Sequence, residues 1–390
     1  MRIAIVHEWL TNKAGSEQVV EQLLLLYPQA DMFCTVDFLP PEDRDFLRGR
    51  KPRTSFIQRL PLARRLYRQY VPLAPLAIEQ HDLSGYDIVI SSSHAVAKGV
   101  LTGPNQLHIC YCHTPMRYAW DLQHQYLREG GLERGLGGVF ARAMLHYLRM
   151  WDVRTSHGVD QFVANSNYIA GRIRKAYGRD SVVVYPPVDV DFFQGDYGND
   201  DCGKDDYYVA ASRLVPYKRV DLIVRAFARM PNRRLVVIGG GPGLDQCKRL
   251  AGPNVTVLGH QPAAVLRSHL QRARALVFAA EEDFGILPVE AQACGTPVVC
   301  LGRGGARESV IDGLTGVHFF EQTEEDIEDA LDRFEKCSWD AQLIRFHAEQ
   351  FSQVAFRSAM SSYIDGAWRH FHRQVARKES RADSLAEVRN

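Results

Sequence analysis

The chain has no run of 18 apolar residues, so no segment reads as a helix able to span a bilayer. It also lacks a charge of its own: 47 Lys and Arg face 46 Asp and Glu, a formal net charge of +1. Global charge therefore selects no particular partner. Its eight cysteines form no Cys-x-x-Cys pair and no zinc spacing, and Cys110 and Cys112 stand only two apart. The opening MRIAIVHEWL meets His7 and Glu8 before any long apolar run, so it does not read as a secretory leader. These absences predict reduced cysteines and a cytoplasmic protein, peripheral to the membrane at most.

Motifs are missing too. The sequence contains no G-x-x-x-x-G-K-[ST] and no G-x-S-x-G. The segment IGGGPG begins like a dinucleotide fingerprint, but its third glycine is Leu244 in one register and Gln246 in the other. It reads better as a tight strand-to-helix turn near a ligand. Asp189-Val190-Asp191 has the Asp-x-Asp form used to hold metal, yet it directly follows two prolines and reads as a linker. Nucleotide hydrolysis, serine-hydrolase and dehydrogenase chemistry all lose ground.

What is present suits a folded protein of two domains: 390 residues, 46% apolar and 24% charged. Short β-branched runs alternate with helical stretches, first at 2–6, 87–93, 107–112 and 161–166. A second cycle follows at 206–214, 234–243, 254–259, 275–280 and 296–301. This rhythm predicts two doubly wound, Rossmann-like α/β domains with parallel sheets, 1–187 and 188–353. The division is marked by two prolines and the acidic, glycine-rich GDYGNDDCGKDD (195–206). A striped helix is expected at about 354–373, followed by a polar tail without structure over 374–390. Ligands of such folds sit beyond the carboxyl ends of the strands, so an interdomain site is expected.

Three constellations could carry chemistry. SRLVPYK places Arg213 and Lys218 just after the first strand of the second domain, as fixed cations for a diphosphate leaving group. Taken alone, such a pair is usually a surface feature. EEDFGILPVE puts Glu282 in a glycine loop and Glu290 on the first turn of the following helix, whose amides form an anion site. An acidic cap favoured by the helix dipole would explain Glu290 equally well. YCHTPMRYAW sets His113 at a strand end, with His94 of SSSHAVAKG a weaker candidate. Separately, Phe46–Tyr70 holds eight basic residues, among them Arg59, Arg64, Arg65 and Arg68, and no acid. Interleaved leucines make that segment either a solvated basic face or a surface for anionic lipid.

E-x-F-G-x-x-x-x-E followed by A-C-G-T-P-V-V, with S-R-L-x-x-x-K upstream, resembles the family-4 retaining glycosyltransferases of GT-B fold. The resemblance extends over nearly the whole chain, through the early glycine loop, His113-Thr114-Pro115, VANS, YPPVD and GGARESV. It implies that Arg213 and Lys218 are the diphosphate cations and Glu282 the ligand of the donor sugar. Glu290 would hold the ribose, and the amides of Phe284, Gly285, Ile286 and Leu287 would cradle the diphosphate and sugar. His113 would meet the transferring sugar or the acceptor, and Gly15 and Gly259 are implied as donor-binding positions. The early loop departs from the family, with Ala14-Gly15 where paired glycines are common. The last helix of such folds crosses back to the first domain.

The implied reaction moves a sugar from a nucleoside diphosphate with retention, without an obligatory metal or any further cofactor. HICYCHTPMRYAWD and SSSHAVAKG further resemble mannosyltransferases of bacterial O-antigen and exopolysaccharide assembly. Those take GDP-mannose and act on a lipid-linked acceptor at the cytoplasmic membrane face, which favours the lipid reading of the basic segment. A related transferase using UDP-glucose or UDP-N-acetylglucosamine, a sugar-nucleotide epimerase and a non-catalytic carbohydrate-binding protein stand as alternatives.

Overall fold

A computed structural model describes residues 1–194 and 204–387 of the chain. It separates into two compact units, residues 1–184 with 356–390, and residues 185–355. Most of the acidic stretch expected between the domains, 195–203, lies outside the described residues.

Unit 1 is built on seven parallel strands in the order β3-β2-β1-β4-β5-β6-β7. These are β1 (Ile3–His7), β2 (Asp31–Cys34), β3 (Arg53–Thr54), β4 (Ile88–Ser93), β5 (Leu107–Cys112), β6 (Gln161–Ala164) and β7 (Val182–Val183). The central strands are apolar and fully buried, as a sheet covered on both faces requires. One face packs on the Gly15–Leu26 helix through Val19, Val20, Leu23 and Leu24. The other packs against Ala77, Ile78, Leu148 and Trp151 from two further helices. Beneath Trp151, Lys98 Nζ reaches Asp152 at 2.6 Å, with both side chains almost without solvent contact.

Unit 2 holds six parallel strands in the order β10-β9-β8-β11-β12-β13. They are β8 (Tyr208–Ala211), β9 (Leu235–Ile238), β10 (Val255–Gly259), β11 (Leu276–Phe278), β12 (Val298–Leu301) and β13 (Gly316–Phe319). The Val220–Ala228 helix covers one face with Leu222, Ile223, Ala226 and Phe227, and the Glu324–Phe334 helix joins it there. The other face meets the Ile286–Ala293 helix.

The last helix runs Gln353–Glu387, so the polar tail expected to lack structure is helical through Glu387. QVARKESRADSLAE (374–387) is rich in Ala, Arg and Glu, residues that lose little on entering a helix, and that propensity outweighs its polarity. Its apolar stripe belongs to the unit 1 core, where Phe356, Met360 and Ile364 are buried with the Gly15–Leu26 helix. Tyr363 reaches Gln161 at 3.0 Å in the same unit. Phe356 is 2% exposed, so Phe356→Ala should lower the unfolding free energy of unit 1 by about 3 kcal/mol, read by urea denaturation.

Candidate functional site

In unit 2 the strand order reverses between β8 and β11. Chains leaving these neighbours turn to opposite sides, and the space beyond their carboxyl ends is left open. Two of the three constellations come from the loops on either side of that reversal.

The loop after β8 is pinned along its length. Ser212 N donates to Ile238 O at 3.0 Å, Leu214 N to Gly240 O at 2.9 Å, and Gly243 N to Leu214 O at 2.9 Å. Gly239 has φ +149°, and a Cβ added there would stand 1.8 Å from Ser212 O. The GGGPG run is therefore a place of close backbone approach that fixes the neighbouring loop. Arg213 rises from this loop exposed, and its guanidinium has no partner among the described residues. Lys218 ends the short Pro216–Lys218 turn, beside Arg219 in the left-handed region at φ +53°. Its ammonium forms an ion pair with the Glu282 carboxylate, both side chains being less than a fifth exposed. A cation and an anion expected to serve different parts of one ligand are thus paired with each other.

The loop after β11 leads through Gly285, at φ +84°, into the Ile286–Ala293 helix. The amides of Phe284, Gly285, Ile286 and Leu287 have no acceptor among the described residues. They are the orphan donors of a helix start and present partial positive charge to an anion. The loop is fixed from behind, because Gly305 N donates to Glu282 O at 2.8 Å. A Cβ on Gly305 would fall 2.2 Å from Phe284 Cα, so GGARESV is the floor on which this loop rests. The Phe284 ring is buried between Tyr185 and Phe351, each with centroids 5.5 Å away.

Glu290 is not on the first turn, as the sequence suggested. It is the fifth residue of the helix, and that first turn contains no acidic residue. Capping of the helix dipole therefore does not account for it. Burial, and then the nearby charge of Asp189, push its carboxyl up to about 7 from an ordinary 4.5. Asp189 itself accepts from Phe192 N at 3.2 Å, which suits the linker reading of Asp-Val-Asp. Gly259 closes β10 at φ +74° and accepts from Gly239 N at 2.8 Å, two strands out from β8.

Unit 1 repeats the reversal between β1 and β4. There the sequence reading singled out His113 and, less firmly, His94, but the structure brings a larger group together. His7 and Ser92 are register partners on β1 and β4, and His113 follows β5, its N–H donating to Ser93 O at 2.8 Å. His113 Nε2 and His7 Nδ1 both lie within hydrogen-bond reach of Ser92 Oγ, at 2.8 and 3.1 Å. His7 Nε2 reaches Glu17 Oε1 at 3.2 Å. Burial, then the charges of His94 and His7, lower the His113 pKa well below its ordinary value, so it stands neutral.

Glu8 is fully buried and caps the turn after β4, accepting from the amides of His94, Ala95, Val96 and Ala97 and from Ser93 Oγ. Burial alone would raise its pKa, but His94 and these amides hold it below the ordinary carboxylate value. Gly15 begins its helix beside Ala14, whose amide is taken by Glu17 Oε2 at 3.0 Å. The sequence signal for His7, Glu8 and Ser92 was available: polar residues closing otherwise apolar strands, as in IAIVHE and IVISSS.

Among the described residues no group of three or more His, Cys, Asp or Glu is placed to hold a metal ion. No helix among them is long and apolar enough to cross a membrane.

Residues 14–192 match the family described as Glycosyltransferase Family 4, and residues 200–350 match Glycosyl transferases group 1. A GDP-mannose-dependent alpha-(1-6)-phosphatidylinositol monomannoside mannosyltransferase of Mycolicibacterium smegmatis is 34% identical over 194 residues, 42% of this chain and 50% of that protein. A D-inositol 3-phosphate glycosyltransferase of Mycobacteroides abscessus is 32% identical over 232 residues, 54% of this chain and 50% of its own length. The chain thus spans about half the length of these curated relatives. Among solved structures, Anabaena HepE in complex with UDP superposes with a TM-score of 0.66 at 18% identity, covering 94% of this chain and all of that one. Sucrose-phosphate synthase from Thermosynechococcus elongatus gives 0.67 at 18% identity, covering 95% and 100%. The fold is shared with both.

Glu290 gives a test that needs no ligand. Its carboxyl holds a proton more tightly folded than unfolded, so the stability it contributes is full below pH 4.5 and is lost as pH rises through about 7. Glu290→Gln removes that loss. At pH 8 the variant should unfold with a free energy higher by up to about 3 kcal/mol, and at pH 5 the two proteins should nearly coincide in urea denaturation.

Proposed function

We propose, from the premise that this chain belongs to the family 4 glycosyltransferases of GT-B fold, that it transfers a sugar from a nucleoside diphosphate to a lipid-linked acceptor. The observation that carries this reading is the junction of β8 and β11. Four amides and a guanidinium without partners among the described residues, a Lys–Glu pair and a carboxylate of raised pKa lie on the two loops and the helix leaving those strands.

Each group has a task. The diphosphate gains charge as its bond to the sugar C1 breaks, and Arg213, Lys218 and the amides from Phe284 to Leu287 stabilise it. Glu282 turns from Lys218 to the sugar hydroxyls when donor arrives, which releases Lys218 to the phosphate. Glu290 accepts from the ribose diol, and the resulting bonds favour its ionised form. Gly15 and Gly259 leave room for the donor. The acceptor oxygen bonds to C1 on the face the phosphate leaves, and the departing phosphate oxygen takes the acceptor proton, so configuration is retained. His113 serves the acceptor end of this exchange.

Mannose from GDP-mannose is the donor we assign, supported by the mycobacterial relative named for that donor. HepE, whose structures hold UDP and UDP-glucose, favours a UDP-sugar as the second reading. Thermal shift and donor hydrolysis with GDP-mannose, UDP-glucose and UDP-N-acetylglucosamine decide between them. GDP-mannose should give the largest stabilisation, and a larger shift with either UDP-sugar would replace it. Glu282→Ala should cut transfer roughly 100-fold while leaving GDP binding within about threefold, because Lys218 is freed rather than lost. Lys218→Ala should weaken GDP binding as well.

Membrane contact is assigned to the basic segment of unit 1. Arg59, Arg64, Arg65 and Arg68 are exposed there with Leu62, which is 66% exposed. Arg64→Gln with Arg65→Gln should weaken binding to phosphatidylglycerol vesicles by roughly 30-fold at low salt, about 1 kcal/mol per charge. Co-sedimentation measures it, and unchanged binding would remove the membrane role of this segment.

A further inference from the structure

The hydrogen bonds ending at His113 form one chain, Glu17–His7–Ser92–His113, laid across the carboxyl ends of β1, β4 and β5. Three of its four members are buried: His7 and Ser92 without solvent exposure, Glu17 at 4%. With one proton on each histidine and the Ser92 hydroxyl proton held inside the chain, only two directions are possible, and whatever fixes one end fixes the other.

Glu17 fixes it. Burial pushes its carboxyl up, but the His7 contact and the Ser16 hydroxyl hold it down at about 2, so it is a carboxylate that only accepts. Its Oε2 accepts from Ala14 N at 3.0 Å and from Ser16 Oγ at 2.9 Å, leaving Oε1 for His7. His7 Nε2 must then donate. Carrying a single proton, His7 then has its lone pair on Nδ1, which accepts the hydrogen bond of the Ser92 hydroxyl. Ser92 Oγ is left to accept from His113 Nε2–H, and His113 carries its lone pair on Nδ1.

We propose that Glu17 is a positioning residue that sets the tautomer of His113 through His7 and Ser92, so that His113 presents a bare Nδ1 able to accept a hydrogen bond from a hydroxyl of a substrate sugar. This deepens the reading of His113 at the acceptor end and rests on it. Other titratable groups face the chain as well. His94 lies 6.3 Å, centroid to centroid, from both His7 and His113, and Glu8 is held in the turn that carries His94. Among the described residues neither Glu8 nor His94 hydrogen-bonds to a member of the chain, so neither sets its direction. No open surface group supplies the signal; it comes from a carboxylate ten residues along the chain from His7.

Glu17→Gln is the sharp test because it keeps the shape and reverses the polarity. The side-chain oxygen must stay on the Ala14 amide, which can only donate, and the new NH₂ then faces His7 Nε2. That nitrogen must accept, His7 Nδ1–H donates to Ser92, Ser92 donates to His113 Nε2, and His113 moves its proton to Nδ1. In the free protein, nitrogen-15 NMR of labelled histidine should show His113 as the Nε2–H tautomer in wild type and as Nδ1–H in Glu17→Gln. Transfer by Glu17→Gln should fall roughly 100-fold in kcat with the donor KM within about twofold. Ser92→Ala cuts the chain, and adding Glu17→Gln to it should then change neither tautomer nor rate further.

A wild-type His113 with its proton on Nδ1, or a tautomer unmoved by Glu17→Gln, overturns the proposal. The spectrum reads the chain whatever reaction the protein runs. Absence of transfer from every sugar nucleotide would instead remove the functional reading and leave the tautomer result standing.

Discussion

Both units depend on a parallel sheet whose strand order reverses at its centre. A parallel strand cannot be joined to its neighbour by a tight turn, so each connection must cross a face of the sheet. Where successive crossings go to opposite sides, two strand ends are left with nothing above them. β1 and β4 make that gap in unit 1, and β8 and β11 make it in unit 2. Every residue proposed to take part in the chemistry, Gly259 at the end of β10 apart, stands at the carboxyl end of β1, β4, β5, β8 or β11 or on the loop or helix that follows it. The rest of each unit is packing that keeps those ends in register.

Glycines convert that gap into defined geometry. At Gly239 and Gly305 the backbone of one loop lies where a side chain would have to be. Each brings a loop of the site against the next strand end, and the contacts are backbone to backbone, which leaves little freedom for the loop to shift. The groups of unit 2 proposed to hold the donor are consequently prearranged, and the only rearrangement the proposed chemistry demands is the exchange of partners between Lys218 and Glu282.

Much of this was legible in the sequence because buried parallel strands advertise themselves. VVIG, LVFAA and VVCL are continuous apolar runs that solvent-facing segments do not sustain. The strands that escaped notice have another origin. DMFC (31–34) starts on an acid, GVHF (316–319) holds a glycine and a histidine, and the Arg53–Thr54 strand is two residues long. Their extended state comes from the neighbour they pair with, which periodicity cannot register. The site shows the same division. EEDFG and SRLVPYK are contiguous motifs and could be read directly, whereas the His7–Ser92–His113 group exists only through the register of β1 with β4 and the course of the chain after β5. Glu290 was found for its type, but its place on the helix, which decides between capping and burial, needed the helix boundary itself.

The route of the last helix has a consequence for how the protein is made. Phe356, Met360 and Ile364 complete the core of unit 1, yet they are synthesised after all of unit 2. A ribosome therefore releases the first 184 residues with one face of their sheet short of its cover, while unit 2, drawn from one continuous stretch, has its own core complete first. Domains fold as units during synthesis, so unit 2 closes while unit 1 waits. The amino-terminal unit, though translated first, acquires its last buried residues only after unit 2 has been made.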